Sequence, residues 1–195
     1  MMGGVIMPVA VAAAIGGFIL FQRSRAATGD GAVGRLIRIA DRDDVAKGRE
    51  AIRALGRAQG DEALAYLLDR TGGATAGTDW RTGSALQALG EMSHPRGVEQ
   101  LLRVVASGSV ADADARQGLE LVRGDDAVPA LLRFALETDD YHGVKAAVRT
   151  LERLGTPAAA AALAEFRARP ARTVIRRELE TGRIPESTSI FGQRS

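Results

Sequence analysis

Residues 60–68 read GDEALAYLL and residues 124–132 read GDDAVPALL. The two phrases stand 64 residues apart and share Gly-Asp, an Ala, an aliphatic residue and a closing Leu-Leu. Alignment on the leucine twelve residues before each penultimate leucine brings out four units. Unit one runs through Ala51-Ile52-Arg53-Ala54-Leu55-Gly56, Gly60-Asp61 and Leu67-Leu68, and unit two through Ala85-Leu86-Gln87-Ala88-Leu89-Gly90, His94-Pro95 and Leu101-Leu102. Unit three carries Ala115, Leu119, Gly124-Asp125 and Leu131-Leu132, and unit four Ala147, Val148, Leu151, Thr156-Pro157 and Leu163-Ala164. The anchor leucines Leu55, Leu89, Leu119 and Leu151 are separated by 34, 30 and 32 residues, so the original gap is two periods. Self-similarity at such a period marks a stacked helical-repeat solenoid.

Each unit reads as a helix pair. Ala51 and Leu55, with their counterparts, are spaced i, i+4 and share one face of a first helix. A turn follows at Gly60, His94, Gly124 or Thr156. A second helix is then expected to begin at Asp61, Pro95, Asp125 or Pro157: proline loses nothing where the N–H would be unpaired, and Asp suits the positive helix start. The second helix buries Leu64, Leu67 and Leu68 in unit one, and Val98, Leu101 and Leu102 in unit two. Upstream, Val33–Ala40 (VGRLIRIA) reads as the second helix of a degenerate capping half-unit. The Gly/Thr-rich stretch 70–79 is a longer loop that accounts for the 34-residue period.

The composition agrees with an all-helical core. Aromatic residues are 4% of the chain, so Leu, Ala, Val and Ile must fill it. Those residues form helices well, and Ala lets helix axes approach closely. With no cysteine, disulfides, thiol nucleophiles and Cys-based zinc sites are excluded. A formal net charge of +2 lacks the bias of a dedicated nucleic-acid binder.

The first 21 residues, MMGGVIMPVAVAAAIGGFILF, hold no charged side chain and end at Gln22-Arg23-Ser24-Arg25. A helix of that length spans about 31 Å, close to the hydrocarbon thickness of a bilayer. Residues 1–22 therefore read as a single transmembrane anchor. A cleaved signal peptide, which would make the chain an exported domain, is the rival; it normally has a basic start, and none is present. Arg23, Arg25, Arg35 and Arg38 follow the segment, which places residues 23–195 on the cytoplasmic side of a cell membrane. Residues 23–31 are then a linker, 32–168 the solenoid, and 169–195 a basic end comprising a helix at 171–183 and a terminal tail.

The elements Ala-x-x-x-Leu(-Gly) in the first helix and Gly-Asp-x-Ala-Val-x-x-Leu-Leu in the second resemble bacterial HEAT repeats, in particular the short HEAT-like type of phycobilin lyases. The resemblance spans about residues 32–168. It implies a fold and carries no catalytic residue. Unit three departs from it: no Gly follows Leu119, and Arg116 stands where Ile52, Leu86 and Val148 stand elsewhere.

Candidate chemistry is sparse. His94 and His142 lie in different units without metal-binding spacing, and they read as surface turn residues. Asp43-Asp44, Asp112-x-Asp114, Asp125-Asp126 and Asp139-Asp140 all stand near helix starts, where capping explains them. Trp80, the single tryptophan, opens a first helix, as an entry staple does. No phosphate loop or nucleophile elbow occurs, and no metal or cofactor is expected. The reading is a membrane-tethered, non-enzymatic scaffold or accessory subunit whose partners are proteins, with no nucleic acid or small-molecule substrate expected. In this register Tyr66, Gln100, Arg103 and Arg133 point away from the core of the second helices and form the candidate partner-binding strip, beside Asp69, Glu99, Ala130 and Glu165. Two further readings follow from the resemblance: a lyase-like enzyme or enzyme partner of the bilin lyase type, and a DNA-binding domain like the HEAT-like alkylpurine glycosylases. Mixed charge and few aromatics disfavour the second.

Overall fold

The computed structural model describes residues 31–42, 44–74, 79–169 and 181. The expected anchor at 1–22 lies outside the described residues, as does the expected linker apart from Gly31, and so does the expected C-terminal helix and tail apart from Arg169 and Thr181. Among the described residues no helix is long and apolar enough to cross a membrane. Their regular structure is entirely helical: α1 (Ala32–Ala40), α2 (Val45–Ala58), α3 (Asp61–Thr71), α4 (Trp80–Met92), α5 (Pro95–Ala106), α6 (Asp112–Leu121), a 3₁₀ turn at Asp125–Ala127, α7 (Val128–Glu137), α8 (Tyr141–Leu154) and α9 (Pro157–Ala168). The four sequence units are the pairs α2–α3, α4–α5, α6–α7 and α8–α9.

Three of these pairs reverse the chain in two residues. The first turns left-handed, at Gln59 (φ 48°), Ser93 (φ 56°) and Gly155 (φ 62°), which ends a helix by taking the chain off its axis. The second is an extended N-cap at Gly60, His94 or Thr156. The second helix then starts at Asp61, Pro95 or Pro157 as expected. Unit three differs. Gly124 (φ 74°) leads into the 3₁₀ turn, and the α-helix begins at Val128 instead of Asp125. Pro129 is the reason: a helix opening at Asp125 would need an N–H at residue 129 to bond back, and proline has none, so it fits only the first turn of α7.

Apolar faces meet in one continuous core. Ile52, Leu55, Leu67, Leu86, Leu89, Leu101, Leu102, Leu131 and Leu151 are wholly buried, each side chain contributing about 1.5–3 kcal/mol before ordering costs. The first helices α2, α4 and α6 pack as a row. A Cβ on Gly56 would stand 2.7 Å from the Ala88 carbonyl oxygen, and one on Gly90 would collide with the Gly118 carbonyl. The glycine after Leu55 and the one after Leu89 are therefore what let the next first helix in. Trp80 seals the start of the row, its ring lying where a Cβ on Gly48 would be. Helix α1 packs on α2 and touches α3, the position of a second helix from a preceding unit, so the capping half-unit is present as read.

Polar ties run from unit to unit. Gln100 Nε2 donates to the Thr71 carbonyl at 3.0 Å, Gln87 Nε2 to Gln117 Oε1 at 2.8 Å, and the Arg123 N–H to Ser93 Oγ at 2.8 Å. The row of first helices stops after α6. Helix α8 packs on α5, α7 and α9 and only lightly on α6.

Candidate partner-binding surface

Of the four residues expected to point outward on the second helices, two are exposed. Arg103 on α5 and Arg133 on α7 reach outward, with 68% and 56% of their side chains exposed. Glu99, one turn before Arg103, is 19% exposed and lies between them. It pairs with Arg133 across the helices and with Arg103 at 3.9 Å along its own. One carboxylate thus serves two guanidinium groups, which leaves free donor capacity on Arg103. Beside it a depression of about 640 Å³ between α5 and α7 is bounded by Phe134, Glu137 and Thr138. Phe134 is partly buried, its ring edge against Gly143 at the start of α8. Exposed arginines with spare donors beside an aromatic edge form a surface that can hold a backbone carbonyl of another protein.

Gln100 is half-buried and spends its amide on the Thr71 carbonyl, the open C-terminal end of α3. It stands beside Arg103 in sequence but works as a tie between units.

Tyr66 does not belong to an outward strip. Its ring is 2% exposed, and its hydroxyl donates to Asp41 Oδ1 at 2.8 Å. Arg70 completes the cluster, 2.5 Å from the same carboxylate oxygen and 5.2 Å over the Tyr66 ring. Burial, together with the hydrogen bond to Asp41, pushes the phenol up to about 12. The physical reason for the departure is α1. The capping half-unit brings Asp41 over the face of α3 that would otherwise meet solvent, and the tyrosine closes down on it. Ala130 is likewise buried.

Three of the aspartates at helix starts act as caps, whereas α6 and the 3₁₀ turn, which open at Asp112 and Asp125, have no side-chain cap. Asp44, Asp79 and Asp140 accept backbone N–H groups of Lys47, Thr82 and Gly143 at 3.1, 2.8 and 2.6 Å. Those backbone bonds hold the Asp44 and Asp79 carboxyls below the usual carboxylate range. Asp112 instead forms a two-oxygen bond to Arg116 Nε at 2.8 and 2.9 Å. His94 caps α5, its Nδ1 accepting the Arg96 N–H at 3.2 Å, and His142 is exposed on α8. Among the described residues no group of His, Cys, Asp and Glu could hold a metal ion.

Sequence reasoning missed a second surface feature. Arg149 and Arg153 on α8 face Leu119 and Glu120 on α6 across an open seam. The available signal was the missing glycine after Leu119.

Comparison with known families matches the one described as HEAT repeats to residues 111–182, which run from α6 through α9 and beyond. No curated protein and no solved structure matches the chain. With an all-helical repeat running through the described residues, the chain is a helical-repeat protein whose residues 111–182 are HEAT-like.

Proposed function

We propose that the protein is a non-enzymatic interaction scaffold, held at a membrane by residues 1–22, that binds a partner protein on its second-helix layer at Arg103 and Arg133. The observation that carries this reading is the shared carboxylate of Glu99, which holds both arginines outward beside the Phe134 depression. Likeness to HEAT repeats supports it, since stacked helix pairs present long surfaces suited to extended protein partners. The Gly-Asp-x-Ala-Val-x-x-Leu-Leu phrase makes the units similar to the short repeat type of the phycobilin lyases. The tether rests on the uncharged run with arginines only after it.

The test is affinity purification of the detergent-solubilised full chain. Arg103→Glu combined with Arg133→Glu is expected to abolish recovery of the partner with unchanged helix content, because exposed substitutions usually cost under about 0.5 kcal/mol. Unchanged recovery would reject this surface. Carbonate extraction tests the tether separately: the chain should stay with the membrane.

A further inference from the structure

The small residues that draw first helices together recur at one register, and they run out in unit three. Gly56 follows Leu55 and meets Ala88, the residue before Leu89; Gly90 follows Leu89 and meets Gly118, the residue before Leu119. At the next step the register sets Glu120 against Thr150. A glutamate and a threonine cannot share the space of two backbones in contact. The helices stay apart, α8 leans on α5 and α7, and a cleft of about 190 Å³ opens between α6 and α8. Its floor is apolar, from Leu119 and Ala146, and its rim carries Arg116, Arg149, Arg153 and Glu120.

Charge on this rim is uneven. Arg116 is neutralised by Asp112. Arg153 donates to two neutral acceptors, the Leu119 and Val122 carbonyls at 3.0 and 2.7 Å, so it ties down the end of α6 while keeping its full charge. Arg149 is exposed with no ion pair among the described residues. Two uncompensated cations therefore stand on the α8 side, and Glu120 confines the positive potential to that side.

We infer that this cleft is a docking site for an acidic peptide segment of a protein partner, taking a carboxylate at Arg149 and Arg153 with the aliphatic stem on Leu119 and Ala146. It lies on the first-helix layer, away from Arg103 and Arg133, and does not depend on binding there. Charge complementarity over an apolar floor selects the occupant: a glutamate or aspartate side chain satisfies both halves, while a basic or purely apolar segment satisfies one at most.

Isothermal titration calorimetry of the detergent-solubilised full chain tests this, with a peptide of alternating Glu and Ala as probe and its Gln–Ala counterpart as control. The Glu–Ala peptide should bind and the Gln–Ala peptide should not. Arg149→Glu should weaken binding at least about tenfold, Arg149→Lys should retain most of it, and the Arg103→Glu, Arg133→Glu variant should leave it unchanged. No binding of the Glu–Ala peptide, equal binding by Arg149→Glu, or loss in the second-helix variant would each overturn the assignment. Displacement by inorganic phosphate as effective as by free peptide would make it a simple anion site and overturn it too.

Discussion

Tyr66 shows how one side chain can join two repeats. Its hydroxyl is held neutral by burial and by Asp41, with ionisation displaced from 10.0 to about 12. A raised phenol contributes stability that is fully present below pH 10 and is lost as pH rises from 10 to 12. Urea unfolding across that range should show the loss, and Tyr66→Phe should remove it while costing about 1 kcal/mol at neutral pH. The capping carboxylate of Asp79 works in the opposite direction. Its lowered value means that the cap is intact above the ordinary value of 3.8 and weakens as pH falls through the folded value. Asp79→Asn, which can still accept the Thr82 N–H, should flatten the acid dependence, whereas Asp79→Ala should cost about 1 kcal/mol even at pH 7. Both outcomes are readable from chemical denaturation at a series of pH values.

Between elements, stability depends on what is absent. Gly90 lies against the backbone of α6, so Gly90→Ala must part α4 from α6. We expect a loss of about 2 kcal/mol or more despite up to about 1 kcal/mol gained in helix propensity. Gly73→Ala, where a Cβ meets nothing within 4 Å, should stay within about 0.5 kcal/mol. Much of this was legible in sequence. Leucine spacing located every helix pair, prolines marked the starts at Pro95 and Pro157, and the recurring Ala pointed to close helix packing. What escaped has a common cause. Periodicity reports which stripe of a helix is apolar, and it is blind to what a neighbouring unit lays across the other side. Tyr66 looked outward because Leu64 and Leu67 already defined the inner face; only Asp41, 25 residues earlier, turns it into a buried residue. Arg149 and Arg153 gained their meaning from Glu120, whose effect is to keep two helices apart.

Across the whole molecule, ties lead from each unit to the next, so damage should stay local. Asp41→Ala removes the acceptor shared by Tyr66 and Arg70 and should loosen the N-terminal end alone. Hydrogen exchange is expected to accelerate in α1 and α3 while α8 and α9 keep their protection; uniform acceleration would mean that the stack opens as one body. The ring of Trp80 against Gly48 has one more consequence. As the single indole in 195 residues, it makes the chain optically asymmetric: its emission follows the parting of α2 from α4 and is silent about the open seam between α6 and α8. Monitored together during denaturation, emission should therefore outlast part of the ellipticity, with the glycine-sealed half melting last, and coincident curves would instead describe a single cooperative unit.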